Sequence, residues 1–166
     1  MKKLFVVAML SAASAVSAAP MAADTLDSYV SVSVGEGRYK FEGDSETNTG
    51  FGLAFGQNLS EMGGYEVGYA TLGSLGELAD GRGHSVYLAG VARFPVADAF
   101  SVYGKIGPSV NYLSGDDSET RVRLLVGAGV SYQFDKNWAA VLEYSHFGKT
   151  MGMTPTLWSV GARYHF

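Results

Sequence analysis

The chain has 166 residues and contains no cysteine, which excludes several kinds of protein. Without cysteine there is no disulfide scaffold, no thiolate zinc site and no cysteine nucleophile. Charged residues make up only 17% of the chain and hydrophobic residues 47%, so intrinsic disorder is excluded as well. The formal net charge is −4, and no run of lysine or arginine could neutralise successive phosphates. We therefore expect a single folded domain that does not bind nucleic acid.

The N terminus has the three regions of a secretory signal peptide. Two lysines follow Met1, and then come a short apolar run and a stretch of small residues that ends at Ala18. The apolar run is too short to span a bilayer as a helix. We expect cleavage after Ala18, with Ala19 and Ala23 as alternatives. Residues 1–18 are then the signal peptide, 19–27 a short lead, and 28–166 the exported domain.

The exported part lacks helical periodicity and shows alternation instead. Eight segments place an apolar residue at every second position, as Val30, Val32 and Val34 do in the first. A period of two predicts strands with one apolar face and one face of small or polar residues. The fourth segment is the least regular, because Gly90 and Val91 fall on the wrong faces. The chain is therefore predicted to be all-β.

The connections between these segments alternate in length. Those after the second, fourth and sixth segments are short, and those after the first, third, fifth and seventh are longer and more polar. The short connections are 58–63, 95–99 and 135–137, and the long ones are 42–48, 74–83, 114–120 and 148–156. This pattern predicts an eight-stranded antiparallel up-and-down transmembrane β-barrel with short periplasmic turns and longer extracellular loops.

Aromatic residues on the apolar face are sorted toward the segment ends. A first ring next to the short turns comprises Phe55, Tyr65, Phe94, Phe100, Phe134, Trp138 and Phe166, and a second, nearer the long loops, comprises Tyr69, Tyr112, Tyr144 and Trp158. Such rings are typical of the aromatic girdle at a bilayer boundary. A soluble β-sandwich or a periplasmic ligand carrier has no reason to sort its aromatic residues in this way.

The opposite face is rich in glycine, alanine and serine, which suits a narrow lumen filled by its own side chains, including Tyr87 and Tyr103. Alternation directs six charged residues into it: Glu66, Arg93, Lys105, Arg123, Glu143 and Arg163. Enclosed charges are costly unless they pair. We therefore expect Glu66 and Glu143 each to bridge to at least one of Lys105, Arg123 and Arg163, whereas Arg93, close to a turn, is expected to be hydrated at a mouth.

Four motifs point to a known family. They are Gly-Tyr-Glu-Val-Gly-Tyr at 64–69, Val-Tyr-Gly-Lys-Ile-Gly at 102–107, Ala-Val-Leu-Glu-Tyr at 140–144 and Val-Gly-Ala-Arg-Tyr-His-Phe at 160–166. With these motifs the chain resembles the transmembrane domain of outer membrane protein A and its small eight-stranded relatives, including opacity-type and porin-family barrels.

The resemblance implies a place in the outer membrane of a Gram-negative bacterium. Tyr164 and the terminal Phe166 look like the signal that the barrel-assembly machinery reads, and Glu66 and Glu143 fall where the family places lumenal carboxylates that pair with basic residues. Pro108 departs from the pattern. Because proline has no N–H to donate to a ladder, a bulge or a local gap in strand pairing is expected there.

The sequence offers no catalytic, cofactor-binding or metal site. Ser145 and His146 are neighbours on a strand and so point to opposite faces, as do His84 and Ser85, which prevents a nucleophile and base from sharing a proton. No cluster of histidines and carboxylates has metal-ligand spacing. We therefore expect no enzyme activity and no cofactor. A lipid-modifying enzyme and a periplasmic ligand carrier are the less favoured alternatives.

The expected function is a structural or surface-interaction role: envelope integrity, adhesion or contact with lipopolysaccharide. A narrow pore for ions or small solutes is the alternative. The expected partners are outer-membrane lipid, lipopolysaccharide, the barrel-assembly machinery and an extracellular surface ligand, and the chain is expected to be a monomer. Two loops carry the acidic residues Glu42, Asp44, Glu46, Asp116, Asp117 and Glu119. These residues are candidates to bind divalent cations that bridge lipopolysaccharide phosphates, or to form an adhesive surface.

Overall fold

The computed structural model describes residues 27–41, 44–74, 82–114, 119–149 and 154–166. Its strands are β1 (Ser28–Phe41), β2 (Asp44–Asn58), β3 (Gly63–Ser74), β4 (Arg82–Ala97), β5 (Phe100–Ser114), β6 (Glu119–Gln133), β7 (Trp138–His146) and β8 (Thr154–His165). Each pairs antiparallel with the next, and β8 pairs with β1. The predicted eight-stranded antiparallel barrel is confirmed. The predicted signal peptide lies outside the described residues, and within them no helix has the length and hydropathy to cross a bilayer.

The strands are staggered around the barrel. A line of paired residues that starts at Ser28 passes through Gln57, Tyr65, Gly90, Ile106, Val126, His146 and Thr156. It returns to β1 at Arg38, ten residues beyond its start. Such a stagger tilts the strands against the barrel axis and sets the width of the lumen. Residues of equal height therefore do not sit on the same ladder line.

Burial alternates along the strands, with the apolar face outward. In β4, Tyr87 and Ala89 are buried in the lumen, whereas Val86 and Leu88 are exposed on the outer surface. The structure confirms the irregularity that the sequence shows in this strand: Val91 is apolar but faces the lumen, where it is 7% exposed. A continuous apolar exterior of this kind suits contact with lipid. Closure gives every strand a hydrogen-bonded neighbour on both sides, as a bilayer requires.

The predicted girdle residues lie on the outer face. Phe55, Phe94, Phe100, Phe134 and Phe166 are exposed near the short turns or the chain terminus. Trp138 contacts Tyr164 there, with ring centroids 4.9 Å apart, and Tyr65 donates a hydrogen bond to Gln57. Trp158 and Tyr144 form a second aromatic pair at 4.9 Å, farther toward the long loops. The assignment of these residues to the bilayer boundaries stays a prediction.

Several strands extend into the predicted loops. The first loop was expected at 42–48, but β2 begins at Asp44, and its residues pair with β1 from Phe41↔Asp44 to Gly37↔Asn48. Threonine and tyrosine in this segment suit an extended ladder, which explains the longer hairpin. Likewise β6 begins at Glu119, inside the loop expected at 114–120. The outer parts of these hairpins are thus strand rather than irregular loop.

Pairing between β4 and β5 is interrupted opposite Pro108. The partners run from Tyr87↔Ser109 directly to Gly90↔Ile106, so that Leu88 and Ala89 are skipped. The register on the two sides of the gap is the same, which means that the irregularity is a gap and not a bulge. The missing N–H of proline accounts for it.

Three tyrosines fill the lumen by lying against glycines. Each glycine is the cross-strand partner of its tyrosine, and a Cβ atom there would collide with the ring: the pairs are Tyr29 with Gly56, Tyr87 with Gly68, and Tyr103 with Gly129. The glycines are therefore required by the close approach of the rings. Without them, the tyrosine hydroxyls could not reach the centre of the barrel.

Replacement of Gly68 by alanine is expected to destabilise the barrel by about 1–3 kcal/mol, since overpacking forces Tyr87 away from its hydrogen-bond partners. The matched control is Gly104→Ala, whose new methyl group would lie on the open outer face with its nearest neighbour, the Gly127 carbonyl oxygen, 3.8 Å away. Urea titration of the folded protein in detergent micelles gives the unfolding midpoint of each variant. Equal unfolding midpoints for the two variants would contradict this packing scheme.

Candidate functional site

The lumen is organised around the carboxylate of Glu66 on β3, which is 2% exposed. It accepts hydrogen bonds from Tyr29 Oη at 2.9 Å, Tyr87 Oη at 2.8 Å and Lys105 Nζ at 2.9 Å. Arg163 Nη2 lies 3.8 Å from the same carboxylate. Side chains from β1, β4, β5 and β8 thus converge on one acid. Charged hydrogen bonds of this number offset the cost of enclosing a carboxylate.

A second carboxylate, Glu143 on β7, shares the same ammonium group. Lys105 Nζ lies 2.8 Å from Glu143 Oε1 and also donates to Tyr87 Oη at 3.1 Å. Glu143 accepts further hydrogen bonds from Tyr103 Oη at 2.9 Å and from Ser145 Oγ at 2.7 Å. One lysine therefore bridges two acids across the barrel. We call this set the central network; its members are Tyr29, Glu66, Tyr87, Tyr103, Lys105, Glu143, Ser145 and Arg163.

Arg163 completes the central network from β8. Its side chain is 1% exposed, and its guanidinium carbon lies 4.2 Å from the ring centroid of Tyr29 and 5.0 Å from that of Tyr103. Aromatic faces stabilise a cation that has left water. Each of the two tyrosines therefore makes two interactions: its hydroxyl donates a hydrogen bond to a carboxylate, and its ring lies against the guanidinium group of Arg163.

Four of the predicted ion-pair residues come together, namely Glu66, Lys105, Glu143 and Arg163. Arg123, the fifth candidate, is not among the described partners of Glu66 or Glu143. Arg123 lies at the long-loop end of the lumen, where its Nε donates to the Lys149 carbonyl oxygen at 2.6 Å. Alternation indicates which face a side chain occupies but not its height, and the stagger of the strands separates Arg123 from the carboxylates.

Arg93 also differs from expectation. It lies near the short-turn mouth, as predicted, with its guanidinium carbon 5.9 Å from the ring centroid of Tyr29. It is only partly hydrated, because Nε and Nη2 are enclosed and have no hydrogen-bond partner.

Sequence reasoning also missed Tyr29 and Ser145 as members of the central network. For Tyr29 the signal was present, since it directly precedes the outward-facing Val30 and must therefore point inward.

An apolar plug fills the lumen on the long-loop side of the central network. It consists of Ala70, Leu72, Ala89, Leu125, Phe147 and Leu157, which contact one another and Tyr87. Leu125 is 0% and Phe147 1% exposed. Asn111 donates to the Phe147 carbonyl oxygen at 3.0 Å, which ties β5 to the segment after β7. Sequence reasoning missed the apolar plug because its large apolar residues occupy inward-facing positions, where small or polar side chains were expected.

The described histidines do not form a nucleophile–base pair. His84 is hydrogen-bonded to Tyr69 on the outer face, and His165 to Asp27 at the short-turn end, both at 2.7 Å. Ser145 Oγ is engaged with Glu143 instead of with His146. Across the described ranges, no group of three or more histidines and carboxylates is placed to hold a metal ion. The acidic loop side chains at 42, 44, 46, 116, 117 and 119 lie outside the part that can be described.

The model of the outer membrane protein beta-barrel domain family matches residues 7–166 of this chain. Outer membrane protein A of Serratia marcescens is 33% identical over 140 residues, which are 70% of this chain and 39% of that protein. The protein of the same name from Yersinia pseudotuberculosis is 33% identical over 142 residues, 70% of this chain and 40% of that protein. The chain thus spans about 40% of the length of these relatives.

Solved structures that share the fold include two bacterial surface proteins. Ail, the attachment invasion locus protein of Yersinia pestis, has a TM-score of 0.65 at 23% identity, with 86% of this chain and 100% of Ail covered. Neisserial surface protein A has a TM-score of 0.70 at 18% identity, with 84% of this chain and 97% of that protein covered.

Replacement of Lys105 by methionine is expected to cost about 3–5 kcal/mol of stability, because it leaves two enclosed carboxylates without their shared cation. The matched control is Arg38→Met, which breaks the exposed Arg38–Glu36 pair at 3.3 Å and should cost about 0–1 kcal/mol. Urea unfolding in micelles measures the difference. Equal urea-unfolding midpoints for Lys105→Met, Arg38→Met and Glu143→Ala would show that the central network has no structural role.

Proposed function

The chain belongs to the outer membrane protein beta-barrel family, and from that premise we propose that it is a closed anchor with a structural or surface-interaction role in the cell envelope. It is an outer-membrane protein. Its proposed role is to present the long-loop end of the barrel to the cell exterior, where it supports envelope integrity, adhesion or contact with lipopolysaccharide. The proposal favours this role over that of a conducting pore.

The observation that carries the proposal is the filling of the lumen by two stacked layers. Its most deeply buried large side chains include Glu66 and Arg163 of the central network and Leu125 and Phe147 of the apolar plug. A steady pore needs a continuous polar path, and an eight-stranded barrel is only wide enough to be filled by side chains. The plug interrupts any such path. The barrel therefore supports anchoring better than conduction.

The long-loop end supports a surface role. The β1–β2 hairpin carries the exposed Arg38–Glu36 pair and extends the ladder as far as Phe41 and Asp44. One solved structure of Ail is a complex with the heparin analogue sucrose octasulfate, so a barrel of this fold can bind a polyanion. For this chain, the acidic loop residues favour divalent cations as the link to lipopolysaccharide phosphates.

Phe166 and Tyr164 stack on the outer face with ring centroids 6.3 Å apart, where the barrel-assembly machinery could reach them. A monomer is proposed because each of the eight strands pairs with a neighbour on both sides in the closed barrel. We propose no catalytic activity, since the hydrogen bonds of the described histidines are made to Tyr69 and Asp27 and not to a serine.

The wild-type protein is expected to give no steady conductance in planar bilayers. A shift in gel mobility between unheated and boiled samples shows, on the same preparation, that the barrel is folded. Leu125→Ala thins the apolar plug and should increase small transient openings, whereas Leu124→Ala, its outward-facing neighbour, should not. A steady current through the wild type would favour the narrow pore and overturn the closed anchor.

Charge reversal of the six acidic loop residues (Glu42, Asp44, Glu46, Asp116, Asp117 and Glu119) should abolish calcium-dependent binding of the folded protein to lipopolysaccharide vesicles. The physical reason is that a divalent cation can link two negatively charged surfaces, but it can no longer do so once one of them has become positive. Binding with and without a calcium chelator is the measurement. If the variant still binds only when calcium is present, the acidic loops are not the contact surface.

A further inference from the structure

The apolar part of the outer surface differs in height around the barrel. On β3, the outward-facing aromatic residues at its two limits are Tyr65 and Tyr69, four residues apart, and Val67 is the outward-facing residue between them. On β5, the corresponding aromatic residues are Phe100 and Tyr112, twelve residues apart. The outward-facing residues between these two are Val102, Gly104, Ile106, Pro108 and Val110. The two strands therefore offer lipid apolar surfaces of very different height.

The neighbouring strands extend both surfaces. The apolar outward-facing residues of β1 and β2 lie within 30–34 and 51–55, so these strands share the small height of β3. Those of β6 lie within 122–134, so β6 shares the greater height of β5. We call the outward-facing residues of 30–34, 51–55 and 65–69 the short face, and those of 100–112 and 122–134 the tall face.

Polar groups mark both limits of the short face. Tyr69 is hydrogen-bonded to His84 Nδ1 at 2.7 Å on the long-loop side, and Tyr65 donates to Gln57 Oε1 at 2.6 Å on the short-turn side. Tyrosine with such a partner is typical of a membrane–water boundary, where the ring meets lipid and the hydroxyl meets water. Both boundaries are therefore marked within β3 and its two neighbours.

Charged residues set the same limit on β1. Glu36 and Arg38 face outward on the long-loop side of Val34 and form an exposed ion pair at 3.3 Å. Charges on a lipid-facing surface are costly inside the hydrocarbon layer and cheap at its boundary. The hydrocarbon layer must therefore end below Glu36 on this side of the barrel.

Residues of equal height on the two faces differ in polarity. The stagger of ten residues over eight strands raises each ladder line by about one residue per strand. Gln57 shares a line with Ile106, three strands away, so Val102, about four residues nearer the short turns, matches the height of Gln57. In the same way, Thr49 matches the height of Leu124 to within about one residue. At both ends, a polar residue beside the short face thus corresponds to an apolar residue of the tall face.

The difference in height is large compared with a bilayer. From Phe100 to Tyr112 the chain rises by about 30 Å along the barrel axis, at roughly 3.3 Å per residue and a tilt of about 40°. Gln57 and His84, which bracket the short face, are about 20 Å apart along the same axis. Outer-membrane barrels usually carry an apolar band about 25 Å tall. Tilting the barrel moves both limits of a face in the same direction, so it cannot make the two heights equal.

We propose that the barrel holds the outer membrane at unequal thickness, with a thinned bilayer against the short face and a bilayer of full thickness against the tall face. The occupant of the short face is lipid whose acyl chains are tilted or disordered enough to shorten the hydrocarbon layer. Lipid adapts in this way because bilayer deformation costs little per Å, whereas a closed barrel cannot change its ladders. The inference is independent of the proposed surface role, which concerns the loops.

The test places nitroxide labels at matched heights on the two faces. Because the chain has no cysteine, single-cysteine variants can be labelled cleanly. Thr49→Cys and Leu124→Cys report on the long-loop side, and Gln57→Cys and Val102→Cys on the short-turn side. Each variant, shown to be folded by its heat-dependent gel mobility, is reconstituted in dioleoylphosphatidylcholine vesicles. Electron paramagnetic resonance with power saturation then compares collisions with oxygen, which concentrates in lipid, and with a water-soluble nickel chelate.

Nickel-chelate accessibility should be severalfold higher at Thr49 than at Leu124, and severalfold higher at Gln57 than at Val102, with oxygen accessibility reversed in both pairs. A flat bilayer would give equal values within each pair, because equal heights would then be equal depths. A tilted barrel would give opposite differences at the two ends. A difference that is absent or reversed in either pair would overturn the proposal.

A second set of sites keeps the test decisive if one of these variants does not fold. Glu36→Cys with Val110→Cys replaces the pair on the long-loop side, and Ser28→Cys with Tyr132→Cys replaces the pair on the short-turn side. Each pair again joins sites on β1 and on the tall face whose heights agree to within about one residue. The same differences are expected, and equal accessibilities within either pair would refute unequal thickness.

Discussion

The structure depends on one constraint: backbone N–H and C=O groups in lipid have no water to bind and must pair with one another. Eight strands meet this demand by closing, from β1 through to β8 and back. Closure with a stagger of ten residues then sets a lumen too narrow for bulk water. The interior must be filled by side chains, and the glycines opposite Tyr29, Tyr87 and Tyr103 are what make their rings fit.

The narrow lumen in turn determines how charge is arranged. Carboxylates enclosed at this width need partners, and Lys105 serves both Glu66 and Glu143 while tyrosine hydroxyls occupy their remaining acceptor positions. The apolar plug closes the long-loop side. An interior divided into a paired polar layer and a dry apolar layer is suited to rigidity. This rigidity agrees with the proposed role at the surface.

Much of this arrangement could be predicted from alternation. The inward parity of Glu66, Lys105, Glu143 and Arg163 follows from their outward-facing apolar neighbours, and the gap opposite Pro108 follows from its missing N–H. The departures from expectation have separate causes. Arg123 shares the inward face but lies at another height, and the loop expected at 42–48 continues as strand because cross-strand pairing outweighs its polar composition. Leu125 and Phe147 were missed because an inward apolar layer breaks the expected polarity of that face.

The sequence by itself determined the faces of the strands, the number of strands and the family of the barrel, because side-chain direction in a strand has a period of two and needs no knowledge of the neighbours. Only the tertiary structure decided which residues meet. Contact across the lumen depends on height along the axis, and height is set jointly by all eight registers. For that reason Lys105 reaches two acids, the Tyr29 ring lies near two arginines and Arg123 reaches neither acid.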